Sequence, residues 1–248
     1  MASAALSRLE TLLAARKLDG TVARPEAALW VKPPGPLAPT GIASLDDALQ
    51  GGWRRGDVSE VVGGPSSGRT GVLLATMAAA TARGEIVGLV DAFDRLDPIT
   101  MAATGVDVSR VLWVRGPALT LPGRPDMVAR AVNQAIRALD LILRAGGFGV
   151  VALDVAGAPA RAFRDLAPAT WLRLAHAIAH QPAVGLLIGD APMGRSARGV
   201  SVRLTAVRQW TGTSPQSRRL SGFDVRAHVE HAQRPIATAP GWTLRAAG

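Results

Sequence analysis

One eight-residue stretch constrains this chain more than any other: Gly63-Gly64-Pro65-Ser66-Ser67-Gly68-Arg69-Thr70. It follows a strand-like segment at 57–62 and opens an alanine-rich, proline-free run at 70–83. In the order strand, glycine-rich loop, helix, backbone N–H groups can converge on phosphate oxygens. Glycines permit the tight turn, and the helix N-terminus adds positive potential. A coincidental glycine turn is the competing reading, and the strand-to-helix context weighs against it. Such a chain is expected to be α/β, with a mostly parallel central sheet.

The remaining pattern alternates to match. Strands are expected at 86–91, 110–114, 148–154 and 184–189, and the continuous apolar run at 86–91 reads as one buried on both faces of a parallel sheet. Helices are expected at 98–104, 126–144 and 169–180. Ahead of the loop, Ser44 is placed to cap a short helix, with Asp47 three positions on and Gly51-Gly52 to end it. After residue 189 the pattern changes. Segments 200–210, 222–230 and 242–245 read as strands with no helix between them, hence an antiparallel extension. Residues 4–18 place Leu6, Leu9 and Leu13 on one helical face, and Pro25, Pro33, Pro34, Pro36 and Pro39 mark 19–39 as an extended linker. The expected organisation is an N-terminal helix and linker at 1–39 and one core domain at 40–248.

Within the loop, residues 63–70 are the candidate nucleotide site, and ATP with Mg²⁺ is the ligand such a loop would take. The Thr70 hydroxyl can hold Mg²⁺. Asp154, ending an apolar strand, can hold the metal's water shell or cap the following segment. Arg69 stands where the pattern calls for lysine, and its planar, longer guanidinium neutralises phosphate from a different position. Past the strand end at Asp91, Phe93 cannot take or orient a proton, and Asp94 is a candidate substitute base.

Hydrophobic residues make up 48% of the 248, enough for a large core. There is no cysteine, which rules out disulfides and thiolate metal sites. His176 and His180 have a zinc-compatible spacing but no carboxylate between them and no evident third ligand. The N-terminus lacks a signal-peptide pattern, no run approaches membrane-span length, and a cytoplasmic, nucleoid-associated protein is expected. The net charge of +9 is uneven: residues 195–248 hold nine arginines against Asp224 and Glu230. That fits either docking of an acidic or phosphate-rich partner or a solvated basic surface. Arg195 and Arg198, in a glycine-flanked loop after the last apolar strand, are candidates for single-stranded DNA, although the loop has no aromatic residue for base stacking.

Several ordered motifs together resemble the RecA recombinase core over about 40–239. They include Thr40-Gly41-Ile42-Ala43-Ser44-Leu45-Asp46, Gly51-Gly52-Trp53-Arg54-Arg55-Gly56, the loop itself, Asp97-Pro98-Ile99, Val150-Val151-Ala152-Leu153-Asp154 and Ser201-Val202-Arg203-Leu204. The resemblance adds Asp97 to the nucleotide-binding set and implies self-association. It also exposes departures. Phe93 takes the place of a glutamate that orients water, Thr100 that of a tyrosine that stacks on adenine, and Gly189-Asp190 that of an Asn-Gln pair sensing the γ-phosphate. No counterpart of the paired interface lysines lies near 230–234, nor of the RecA C-terminal domain. This pattern of loss is similar to the ImuA family, some sequences of which carry a SulA-type cell-division inhibitor designation. That likeness implies an accessory role in error-prone translesion synthesis, with RecA and a Y-family-like polymerase subunit as partners and weak or no ATPase activity. An active ATP-dependent strand-exchange protein and a SulA-like division or filament regulator are the alternatives.

Overall fold

A computed structural model describes residues 37–119, 123–164, 166–194, 196, 198–214, 216–231 and 234–245. The expected helix at 4–18, the linker through residue 36 and Arg195 lie outside the described residues; the linker's last residues are described, and Leu37–Ala38 pair as a short strand with Trp53–Arg54. The strands are β1 (Leu37–Ala38), β2 (Trp53–Arg54), β3 (Val58–Val62), β4 (Val87–Asp91), β5 (Val111–Arg115), β6 (Val150–Asp154), β7 (Val184–Gly189), β8 (Val200–Thr211), β9 (Arg219–His231) and β10 (Arg234–Arg245). The helices are α1 (Ala43–Ala48), α2 (Arg69–Ala82), α3 (Pro98–Ala103), α4 (Pro125–Ala145) and α5 (Pro168–Ile178).

Eight strands form one mixed sheet in the order β10-β9-β8-β3-β7-β6-β4-β5. From β8 to β5 every pairing is parallel, and β8-β9 and β9-β10 are antiparallel. The fold is the expected α/β class, a mostly parallel sheet with antiparallel C-terminal strands. Strands β3, β4, β6 and β7 are buried along their whole length, as a sheet covered on both faces requires, and β3 buries Ser59 and Glu60 along with its valines. One core cluster lies on the α2 face, built on Leu73, Met77, Leu89 and Ile188. The other lies under α4 and α5, where Val128, Val132, Ile136, Leu139 and Leu143 recur at helical spacing. No described helix is long and apolar enough to cross a membrane.

Two local readings change. Ser44 does not cap α1: Ile42 occupies the cap position without a side-chain bond, and the turn is instead held by the Thr40 N–H donating to Asp46 Oδ1 at 2.7 Å. β10 begins eight residues before the expected 242–245 segment. Pro235 and Pro240 disguise it, yet prolines are tolerated on an edge strand, and register shifts between Arg234 and Ala237 and between Ala239 and Trp242 absorb the irregularity.

Candidate functional site

The loop leaves β3 between β7 and β8 and enters α2, so it sits at the carboxyl edge of the sheet's centre. Gly68 caps α2 with φ +94°, a left-handed turn that a side chain would resist. Ser66 holds φ +62° without being glycine, the kind of local strain that marks functional loops. Ser67 is buried, and its hydroxyl has no hydrogen-bond partner among the described residues. Gly64, Pro65 and Ser66 are exposed above it.

Strand order sets the neighbours. The Gly63 N–H donates to the Gly189 carbonyl at 3.1 Å, which brings Asp190 beside the loop. Next come Asp154 and Asp91, directly paired in register at the ends of β6 and β4. Arg69, with its side chain 9% exposed, folds back into this row. Its Nη1 donates to the Gly63 carbonyl and to Asp190 Oδ1, and Asp190 Oδ1 also accepts from the Gly157 N–H at 2.9 Å. The two departures from the expected pattern thus meet as an ion pair, and the guanidinium that should meet phosphate is already neutralised.

A cavity of about 110 Å³ lies beside the pair, walled by Arg69, Thr70, Asp91, Phe93, Arg95 and Asp154. It is smaller than the roughly 300 Å³ at which small-molecule sites begin. Thr70 and Asp154 share it, so one hydroxyl and one carboxylate are present for a Mg²⁺ ion that keeps most of its waters and leans on phosphate. No group of three or more histidines, aspartates or glutamates suited to a metal occurs among the described residues. The unpartnered Ser67 hydroxyl and the hydroxyl–carboxylate pair fit a magnesium phosphate; the closed Arg69–Asp190 pair opposes it.

Phe93 is 2% exposed and packs into the α4-side core while facing the cavity. Asp94 is turned to φ +54° and clamped by Arg115, Nε to Oδ1 at 2.5 Å and Nη2 to Oδ2 at 2.9 Å. Those hydrogen bonds hold its carboxyl below the ordinary carboxylate range, and it is not among the cavity walls. A base held this way is poorly placed to replace the missing glutamate. Asp97 caps α3, accepting from the Thr100 N–H and hydroxyl at 2.8 Å each. Asp91 accepts from the N–H groups of Arg95 and Leu96 at 2.8 and 2.9 Å and so shapes the loop after β4. Arg198 is not at the ligand edge. Ser196, whose hydroxyl accepts from the Val58 N–H, and Arg198, which donates to Asp57 at 3.0 Å, both lie at the amino end of β3. Burial pushes the Asp57 carboxyl up despite Arg198 and Arg54. Sequence reasoning missed Asp190 as a partner of Arg69. The available signal was that an extra-bulky cation and a new acid replaced two neutral-to-cationic pattern positions together.

Burial pushes the Asp154 carboxyl up to about 6; the Ala156 N–H and the charges of Arg69 and Arg95 oppose this, and Asp91 adds to it. A carboxyl raised in the fold binds protons more tightly there than when unfolded. It therefore costs no stability below about pH 4, and the cost grows as pH rises to about 6. Asp154→Asn is expected to match wild type in denaturant titrations near pH 4 and to exceed it by about 2–3 kcal/mol above pH 7. Parallel pH curves for the two proteins would show that Asp154 is not desolvated.

The RecA N-terminal domain model matches residues 36–162. The chain is similar to Protein RecA of Kineococcus radiotolerans, 37% identical over 125 residues, which cover 50% of this chain and 32% of that protein. It is 40% identical over 106 residues to Protein RecA of Prochlorococcus marinus strain MIT 9515, covering 42% and 27%. The matched segment thus spans about a third or less of these relatives' own length. With a family match across half its length and the loop at the centre of a mostly parallel sheet, this chain belongs to the RecA N-terminal domain family.

Proposed function

We propose that the chain is a RecA-like accessory scaffold of the bacterial DNA-damage response, acting in error-prone translesion synthesis with little or no ATPase activity. One observation carries this reading: Arg69 is tied to Asp190 in the phosphate cradle, and the neighbouring water-orienting position is the core residue Phe93. Its partners are RecA and a Y-family-like polymerase subunit. Self-association follows the family. The basic C-terminal strands supply a docking surface for these proteins or for single-stranded DNA. Arg203 and Arg226 are exposed on neighbouring strands of that region, and Arg218 lies 5.2 Å from the Trp210 ring at its far end. In solution the protein is cytoplasmic and nucleoid-associated.

A second reading, an ATP-dependent strand-exchange protein, is favoured by the intact loop turn and by Thr70 and Asp154 sharing one cavity. Hydrolysis assays separate the two. Phosphate release from Mg-ATP is expected at background with or without single-stranded DNA. DNA-stimulated turnover that disappears in Thr70→Ala would establish the second reading and overturn the first.

A further inference from the structure

A second and larger cavity, about 320 Å³, opens on the other side of Asp190, between the segments that follow β6 and β7. Phe163, Trp171 and Met193 form its apolar walls, and Asp190 is its one charged lining group. The walls are built into the chain. Met193 and Gly194 are pinned by their N–H groups to Oε2 of Glu60, a buried carboxylate in β3, at 2.9 and 3.3 Å. Gly194 lets the Trp171 ring lie against the backbone, since a Cβ there would stand 2.6 Å from the indole. Phe163 comes from the short 3-10 turn Ala160–Phe163, and Trp171 from the first turns of α5.

Asp190 does not spend all its capacity on Arg69. Oδ1 accepts from both Arg69 and the Gly157 N–H, and Oδ2 has no hydrogen-bond partner among the described residues. The side chain is 37% exposed. An apolar slot with two aromatic walls and one carboxylate oxygen left over is complementary to a flat cation on an apolar stem. Guanidinium suits it better than ammonium, because it is weakly hydrated and stacks on aromatic faces while one of its N–H groups donates to the remaining oxygen. The volume, at the lower end for ligand sites, suits one side chain rather than a nucleotide.

We propose that this cavity is a binding site for an arginine side chain presented by another protein. The proposal does not depend on whether the neighbouring phosphate cradle is active. The test uses the full chain with N-acetyl-arginine methylamide and its neutral citrulline counterpart, followed by two-dimensional NMR of the Trp171 indole N–H. The arginine probe is expected to shift that resonance saturably, and the citrulline probe to bind at least about tenfold more weakly. Asp190→Asn is expected to weaken the arginine probe by a similar factor. Trp171→Leu, which leaves the Arg69–Asp190 pair intact, is expected to do so as well, read from the Met193 methyl. Equal shifts from both probes would mean a neutral apolar slot. No shift at Trp171, or one confined to the C-terminal strands, would mean the cavity takes no arginine. Any of these results overturns the proposal.

Discussion

Asp190→Asn is expected to turn a self-neutralised cradle into an anion site. Asparagine keeps an acceptor for the Gly157 N–H and for Arg69 but removes the charge that holds the guanidinium. Because Asp190 is more than a third exposed, the loss of the ion pair should lower stability by only about 1–2 kcal/mol. The larger effect is on ligands. In the wild type, a phosphate approaching the loop must displace a carboxylate from Arg69. In the variant it meets an unpaired cation, the exposed turn of Gly64 to Ser66 and the start of α2. A charge-assisted hydrogen bond is worth roughly 1.5–3 kcal/mol, so pyrophosphate or Mg-ATP should bind about ten- to a hundredfold more tightly than to wild type. Calorimetry measures this directly, and ligand-dependent thermal stabilisation offers a second readout. Arg69→Lys tests the same point from the other side, by placing a compact charge where the wide one is tethered. If wild type already binds Mg-ATP as tightly as Asp190→Asn, the pair does not close the site.

Phe93→Glu is expected to fail as a repair of catalysis and to damage the fold. Restoring a glutamate looks conservative in a sequence comparison, yet Phe93 is 2% exposed and packs in the core under α4. The substitution removes a buried aromatic ring, at about 3–5 kcal/mol. It also adds a third acid beside Asp91 and Asp154, where burial has already pushed the Asp154 carboxyl up to about 6. Denaturant midpoints should fall sharply at neutral pH and less so near pH 5, where the added acid and Asp154 take up protons. ATP hydrolysis should stay at background. A Phe93→Glu protein of unchanged stability that hydrolyses ATP would show that the surroundings still accommodate the catalytic group.

The sequence by itself determined the elements and their order. β4, β6 and β7 are apolar runs broken only by an aspartate at the end of β4 and β6, and α4 repeats Val128, Val132, Ile136, Leu139 and Leu143 at a helix's period; these signals are local, so they survive without coordinates. The loop was legible for the same reason, since glycine spacing, strand and helix are contiguous. Where local propensity misleads, neighbours decided instead: pairing with β9 carried β10 through Pro235 and Pro240, and the Asp46 carboxylate, not Ser44, secured the turn before α1. What only the tertiary structure decided is which charges meet. Asp190 is 121 residues from Arg69 in the chain, and the strand order alone, with β7 beside β3, sets them together. Arg198 lies instead at the amino end of β3, on Asp57, and Arg115 of β5 claimed Asp94. Electrostatic partners are fixed by distance in space, which sequence separation does not encode, so the type of each side chain could be read in advance and its task could not.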